Sequence, residues 1–323
     1  MNMQVSTIVK GALTFIPGIT KALPGIGIGT GGTNSASYCY GVWLKHLVLL
    51  HESGLRQVPD TVAELGPGDS CGIGLAAMLT GVNHYYALDV VRHGDNEDDV
   101  AIFDELLRLF QTRAARPTKG WPDYDGFLDE GLFPSHILTD ELLAASLAPD
   151  RVARIRSALT SPAGAQQDLS IRYMVPWFDD NVIDEGSVDL IISHSVLEHV
   201  VDLDVTYQAM RAWLKPEGWM SHQIDFKCHG LSGEWNGYRQ YPEVLWKLVV
   251  GTRPFLLNRQ PYSVHSALLE RHGFEVVLDL KQHITDRGIK RSQLSSHWQG
   301  ISDDDLTCAG AFIQAGKKTA TPG

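Results

Sequence analysis

A short run near residue 64 combines an acidic side chain with two closely spaced glycines. It reads Val62-Ala63-Glu64-Leu65-Gly66-Pro67-Gly68-Asp69-Ser70. Glycines let the backbone turn sharply and approach a ligand closely. Where a helix follows such a turn, its first backbone N–H groups lack partners within the helix and can bind a ligand. We therefore predict a ligand-binding turn after a strand, formed by Glu64, Gly66, Pro67, Gly68, Asp69 and Ser70.

Two more polar groups follow segments with the pattern of strands. Asp89, followed by Val90, closes an apolar segment that begins at Tyr85. His194 follows the run 188–193, whose nearly continuous apolar character is typical of a strand buried on both faces of a parallel sheet. In open α/β sheets ligands bind at the carboxyl ends of the strands, where a carboxylate can accept hydrogen bonds from ribose hydroxyls. We predict that these groups share one edge of a sheet.

In their order along the chain, these segments resemble the motifs of the class I S-adenosylmethionine (SAM)-dependent methyltransferases. The first motif of that family is an acidic residue followed by Gly-x-Gly-x-Gly, and Ser70 stands here in place of the third glycine. The run 187–200 resembles the fourth motif, and Leu214-Lys215-Pro216-Glu217-Gly218 resembles the turn before the fifth strand. The glycine spacing does not fit the Gly-x-Gly-x-x-Gly of dinucleotide-binding dehydrogenases. The matching segments extend from Val62 to Phe226.

The resemblance implies that SAM is the cofactor and that the glycine turn holds it. Asp89 would then accept hydrogen bonds from the ribose hydroxyls. Trp177 and Phe178 would lie against the adenine ring, with Asp179 or Asp180 accepting from its exocyclic amine. A role for Trp177 purely in the core remains open at this stage.

A polar run beyond the predicted fifth strand holds the candidates for proton transfer. In this architecture the carboxyl end of that strand faces the methyl group, and Asp225 and His229 lie just beyond it. An imidazole accepts a proton near neutral pH, and a nearby carboxylate stabilises the imidazolium that forms. We predict His229 as the general base, supported by Asp225, with His194 and His222 as rivals. His194 is also a candidate contact of the cofactor, and a role for His229 limited to hydrogen bonding with the substrate remains open.

The elements that must position these groups alternate between strand and helix. This alternation predicts an α/β protein with a doubly wound, mostly parallel seven-stranded sheet of the Rossmann-like methyltransferase type, with helical insertions. The last two strands have only a loop between them, which predicts an antiparallel edge. Long helical patterns are predicted at Phe103–Arg113 and Thr139–Leu159.

We predict two parts in the chain. Residues 1–55 would form an arm and a helix that cover the cofactor cleft, with Tyr38 and Tyr40 reaching the cofactor after a Gly-rich hinge. Residues 56–323 would form the SAM-binding domain, in which inserts at about 91–167 and 227–262 make the substrate side, since loops of such length usually carry function.

Composition disfavours several classes of protein. The formal net charge of -11 argues against a nucleic-acid partner. Four widely spaced cysteines without a Cys-x-x-Cys pair predict reduced thiols in a cytoplasmic protein. The spacing His194-x-x-x-Glu198-His199 fits no metalloprotease motif, so no metal is predicted. The chain lacks an apolar stretch of the ~18 residues needed to span a membrane, although weak peripheral contact by the N-terminus stays open.

Three functions are compatible with these features. The first is O-methylation of a sugar or a nucleotide-linked sugar, because segments around 221–236 and Asn258-Arg259 resemble bacterial methyltransferases of surface-polysaccharide biosynthesis. Cys228 departs from that resemblance, since an acid is expected there. The second is methylation of a natural-product hydroxyl or amine. The third is a non-catalytic SAM-binding protein.

Overall fold

A computed structural model describes residues 4–19, 31–91, 96–117, 121–122, 132–161, 168–177, 180–253 and 255–318. The α-helices are α1 (Val5–Leu13), α2 (Ala36–Glu52), α3 (Gly72–Met78), α4 (Asn96–Gln111), α5 (Asp140–Ser146), α6 (Pro149–Thr160), α7 (Leu203–Trp213), α8 (Glu243–Val250), α9 (Tyr262–Arg271) and α10 (Asp303–Thr307). The strands are β1 (Thr61–Leu65), β2 (His84–Leu88), β3 (Ser170–Met174), β4 (Val188–His194), β5 (Leu214–Asp225), β6 (Phe274–His283) and β7 (Cys308–Lys317).

These strands form one seven-stranded sheet in the order β3-β2-β1-β4-β5-β7-β6. All neighbouring pairs are parallel except those made by β7, which is antiparallel to both β5 and β6. The predicted fold class and the antiparallel edge are therefore confirmed. The direction of winding reverses between β1 and β4, which creates the crevice where ligands of doubly wound sheets bind.

Each face of the sheet has its own hydrophobic core, because successive side chains of a strand point to opposite faces. Val62 and Leu190 lie in the first core, with residues of helices α2 to α6. Ala63 and Ile191, their neighbours in sequence, lie in the second core with α7 and α9. The continuous apolar pattern of the central strands therefore reflects helices on both faces.

Two predicted segments gain detail in the structure. The helical pattern over Thr139–Leu159 forms two helices, and Pro149 begins the second. Proline has no backbone N–H to donate, so it fits the first turn of a helix and not its interior. The turn expected at Lys215–Gly218 lies inside β5, where the pairing with β4 shifts register between Val188 and Leu190. All four cysteines are buried and form no disulfide bond.

The N-terminal helix α1 packs on α8, within the second predicted insert. A Cβ atom on Gly11 would lie 2.1 Å from the carbonyl oxygen of Leu248, so the two helices are in close contact. Beyond the helix, the hydroxyl of Thr14 accepts a hydrogen bond from the N–H of Thr252 at 2.7 Å. Within the described part of the chain, no helix has the length and apolar character required to cross a membrane.

Candidate active site

The predicted glycine turn lies at the carboxyl end of β1, beside the end of β2. The N–H of Gly66 donates to the carbonyl of Leu88 at 2.8 Å. Gly66 (φ 63) and Gly68 (φ 74) both have left-handed backbone conformations, which strain residues that carry a Cβ. A Cβ on Gly66 would also lie 2.7 Å from Cγ1 of Val196, just beyond β4. The turn therefore requires glycine for conformation and for space.

The N-terminal segment contacts this turn through Thr33. The Thr33 hydroxyl accepts hydrogen bonds from the N–H groups of Asp69 (2.9 Å) and Ser70 (3.3 Å). The Ser70 hydroxyl donates in turn to the Thr33 carbonyl. Two backbone donors predicted to face a ligand are thus bound by the arm itself. Thr33 could not be predicted from the sequence, because a threonine in a Gly-rich segment carries no distinctive pattern.

The carboxyl group of Glu64 is directed into the protein. It is buried and accepts a hydrogen bond from the Tyr85 hydroxyl at 2.6 Å. Burial raises the pKa of Glu64 to about 8, although the bond from Tyr85 works in the opposite direction. Glu64 therefore ties β1 to β2 beneath the glycine turn, and its contact with a cofactor stays a prediction.

Asp89 is held rigidly just beyond β2. Its Oδ1 accepts a hydrogen bond from the N–H of Val90 at 2.7 Å. Its own N–H donates to the carbonyl of Met174, and its carbonyl accepts from the N–H of Trp177. The carboxylate is thus fixed one strand away from the glycine turn, as the predicted site requires.

Trp177 is a core residue in this structure. Its ring packs edge-to-face on Trp213, with 5.5 Å between the ring centres, in the second core. Phe178 and Asp179 lie outside the described residues. The predicted contact of Trp177 with adenine is not required to explain its burial and stays a prediction.

The structure separates Tyr38 from Tyr40, and the contact of Tyr40 with the cofactor stays a prediction. Tyr40 is 1% exposed, donates to the carbonyl of Ala114 and packs on Phe110. Positions two apart on an α-helix point roughly 200° from each other, so the two tyrosines face opposite sides of α2. Tyr38 lies edge-on to His194, with 6.2 Å between the ring centres. Only Tyr38 of this pair is placed at the carboxyl ends of the strands.

Asp225, the last residue of β5, and His229, just beyond the strand, are brought together. Nε2 of His229 lies 3.4 Å from Oδ2 of Asp225, and Nζ of Lys227 lies 2.8 Å from Oδ1. Burial alone would raise the pKa of Asp225, but the hydrogen bond from His229 and the Lys227 ammonium lower it to about 2. The Asp225 carboxylate is therefore charged at neutral pH. The side chain of His229 is 36% exposed, so a substrate can reach it.

The rival histidines His194 and His222 are held in the neutral form. Burial lowers the pKa of both His194 and His222 to about 3. His194 also contacts His46, with 3.3 Å between their ring nitrogens. His46 was not predicted from the sequence. His46 in turn contacts the hydroxyl of Ser221 at 2.7 Å. A base with so low a pKa gains little by accepting a proton at neutral pH, which favours His229.

A third residue that was not predicted, Glu198, lies in the segment after β4, near enough to Asp225 to interact with its charge. It is 2% exposed, and neither carboxylate oxygen has a hydrogen-bond partner among the described residues. Burial raises its pKa well above the usual range. The signal was present in the sequence, because Glu198 lies within the run 187–200 that resembles the fourth motif.

The backbone around this cluster contains left-handed residues other than glycine. They are Ser195 (φ 57), His229 (φ 46) and Phe255 (φ 62). The carbonyl of Phe255 accepts from Nδ1 of His199, whose ring centre lies 5.4 Å from that of His229. Strained residues of this kind concentrate at functional sites, where the surrounding structure maintains them.

A separate group of possible metal ligands lies at the end of α2. Ligand atoms of His51, Glu52 and His136 all lie within 4.8 Å of one another. These side chains are exposed or partly exposed, and such groups are common without an ion.

Comparisons with known proteins found similar sequences and structures. Residues 138–221, which contain β3, β4, α7 and most of β5, match a family model described as a methyltransferase domain. A SAM-dependent methyltransferase from Mesorhizobium loti is similar over 83% of this chain and 96% of its own, with 13% identity and a TM-score of 0.40. Phosphoethanolamine N-methyltransferase 2 from Haemonchus contortus, solved with SAM, is similar over 97% of this chain and 57% of its own, with 13% identity and a TM-score of 0.42. No curated protein sequence matches the chain.

Proposed function

We propose that this protein is a SAM-dependent methyltransferase. The observation that carries the proposal is the turn of two left-handed glycines at the switch point of the sheet, one strand away from the fixed carboxylate of Asp89. The match of residues 138–221 to a methyltransferase domain supports it independently. The cofactor is SAM.

The residues divide into cofactor-binding and proton-handling groups. The turn 66–70 and Asp89 would hold SAM, which supplies a methyl group activated by a sulfonium. Tyr38 would cover the cleft beside His194. His229 accepts the proton of the methylated group, and the charged Asp225 stabilises the imidazolium. The protein must also align the acceptor and exclude water, which the inserts around 91–167 and 227–262 would do.

A sugar or nucleotide-linked sugar hydroxyl is the proposed acceptor. The sequence resemblance to polysaccharide methyltransferases and the accessible His229 support it. The amide side chains of the second insert support a sugar acceptor less than expected. They donate hydrogen bonds to backbone carbonyls and so hold loops in place. Asn236 donates to the carbonyl of Leu306 at 3.2 Å, and Asn258 donates to that of Leu197 at 2.8 Å. A cytoplasmic location is proposed from the pattern of reduced cysteines.

Calorimetry followed by a transfer assay tests this function. The purified full chain is titrated with SAM, and release of S-adenosylhomocysteine is then measured with sugars, nucleotide-linked sugars and small hydroxyl or amine compounds. SAM binding with turnover on a sugar substrate supports the whole proposal. Turnover on another class corrects the acceptor, and SAM binding without any turnover favours a non-catalytic protein. Failure to bind SAM overturns the proposal.

Tyr38→Ala is expected to raise the dissociation constant of SAM. Loss of one aromatic contact over the cleft corresponds to roughly 0.5–1.5 kcal/mol, or about a 2- to 12-fold weaker affinity. The matched control is Tyr40→Phe, which removes only the hydroxyl bound to Ala114 and should leave the affinity unchanged. Equal affinity of Tyr38→Ala and the unmodified protein would show that the arm does not cover the cofactor.

A further inference from the structure

A chain of polar side chains connects the end of β4 with the C-terminal part of α2. Nδ1 of His194 lies 3.3 Å from Nε2 of His46, and Nδ1 of His46 lies 2.7 Å from the hydroxyl of Ser221. The same hydroxyl lies 3.0 Å from the side-chain amide of Gln314 on β7. His46, Ser221 and Gln314 are completely buried. Water cannot replace any partner in this chain, so its donors and acceptors determine the direction of every bond.

The Gln314 amide satisfies its surroundings in only one of its two orientations. With its oxygen directed at Ser221, that oxygen accepts from the Ser221 hydroxyl at 3.0 Å and from the N–H of Leu50 at 3.1 Å. Its nitrogen then donates to the carbonyl of Leu49 at 3.0 Å and to the hydroxyl of Ser53 at 2.8 Å. The opposite orientation keeps a bond from the nitrogen to Ser221, but it sets oxygen against the Leu49 carbonyl and nitrogen against the Leu50 N–H. The Ser221 hydroxyl therefore donates its single proton to Gln314.

This direction determines which nitrogen of each histidine carries the proton. Because the Ser221 proton is already used, the hydroxyl can only accept from His46, so Nδ1 of His46 must be protonated. Burial lowers the pKa of His46 well below its usual range, so the ring is neutral and its Nε2 offers only a lone pair. Nε2 of His46 therefore accepts from the Nδ1–H of His194. Burial also lowers the pKa of His194 to about 3, so this ring is neutral and its Nε2 carries no proton.

The unprotonated nitrogen of His194 lies between the two parts of the candidate site. His194 is the last residue of β4, which pairs with β1, the strand before the glycine turn, and with β5, the strand that ends at Asp225. His194 is partly exposed, and its Nε2 has no partner among the described residues. The ring of Tyr38 lies beside it. Unlike His46, His194 can therefore be reached by a ligand at the carboxyl ends of the strands.

We propose that His46, Ser221 and Gln314 are positioning residues that hold His194 with its proton on Nδ1, so that Nε2 accepts a hydrogen bond from a bound ligand. The ligand group must be an N–H or O–H donor. Two such donors take part in the proposed reaction, the ammonium group of SAM and the hydroxyl of the methyl acceptor. The identity of these ligands rests on the proposed function. His194 thus binds and orients a ligand, whereas His229 accepts the proton.

Nitrogen NMR of the full chain, labelled with nitrogen-15 histidine and free of SAM, tests the position of the proton. The chemical shift of an imidazole nitrogen differs strongly between its protonated and unprotonated forms, and His194→Gln identifies the signals of His194 by their loss. The expected spectrum at neutral pH shows Nδ1 of His194 protonated and Nε2 unprotonated. A proton on Nε2, or a charged ring, would overturn the proposal. This spectrum comes from the unmodified chain, so the test does not depend on the folding of a variant at the positioning residues.

Gln314→Met removes the oxygen that accepts from Ser221. The Ser221 hydroxyl should then donate to Nδ1 of His46, which reverses each bond and places the proton of His194 on Nε2. In Gln314→Glu a carboxyl oxygen still accepts from Ser221, so this conservative variant should keep the proton on Nδ1. The matched control is Ser53→Ala, which should also keep it there, because the Gln314 amide retains a backbone carbonyl as acceptor. An unchanged proton position in Gln314→Met would show that the chain does not position His194.

Binding measurements distinguish the two possible donors. In Gln314→Met the protonated Nε2 would face a donor, so binding should weaken by at least about 2- to 12-fold, as expected for the loss of one hydrogen bond. A higher dissociation constant for SAM assigns the bond to the ammonium group. A higher KM for the acceptor with unchanged SAM affinity assigns it to the hydroxyl. If the proton moves and neither quantity changes, Nε2 accepts from no ligand and the proposal is wrong. Failure of the unmodified chain to bind SAM would instead overturn the proposed function and leave the NMR result intact.

Discussion

Replacing His229 with alanine is expected to lower kcat by about 10²- to 10⁴-fold and to leave the affinity for SAM unchanged. This is the usual contribution of a positioned general base. His229 is accessible, and its Nε2 lies 3.4 Å from a carboxylate that is charged at neutral pH. Steady-state kinetics with saturating SAM, together with SAM calorimetry, measure the two quantities separately.

Asp225→Asn provides the test of cooperation within this pair. If Asp225 acts through His229, the double variant should lose little more activity than His229→Ala alone, because residues that act as a unit are not additive. Independent, additive losses would mean that Asp225 has another role. A His229→Ala variant with nearly unchanged kcat would contradict the assignment, and the search for a base would move to His194.

Replacing Asp89 with alanine is expected to weaken SAM binding by about 1–3 kcal/mol, which is roughly 5- to 150-fold in the dissociation constant. The reason is the loss of a charged acceptor for two ribose hydroxyls. Titration calorimetry with SAM measures this effect directly.

A second variant at the same position distinguishes ribose binding by Asp89 from support of its loop. Asp89 also anchors its loop, because Oδ1 accepts from the N–H of Val90. Asp89→Asn keeps that oxygen and removes the charge, so it should retain the loop and still lose affinity. If the asparagine variant binds SAM normally and the alanine variant does not, Asp89 supports the loop and does not bind the ribose. Normal binding by both would remove Asp89 from the site.

The local sequence pattern was sufficient to predict the sheet and part of the site. The apolar runs of β1 and β4 predict buried strands because helices cover both faces of the sheet, and the structure confirms this with two cores. The glycine turn and Asp89 could be predicted as parts of the site, because each directly follows the end of a strand. Asp225 and His229 were predictable as neighbours because they are four residues apart beyond the same strand.

Contacts between segments that are distant in the chain could not be predicted from the sequence, because they depend on tertiary packing. Tyr38 and Tyr40 are the same residue type two positions apart, and the packing of α2 places Tyr38 beside His194 and Tyr40 in the core. Thr33 meets Ser70 across 37 positions of the chain. Arg239 meets Trp298 from a distant segment, and each has a buried polar atom without a hydrogen-bond partner in the described part of the chain. Periodicity reports which face of an element is buried, but it carries no information about which distant side chain lies opposite or whether a buried polar group finds a partner there.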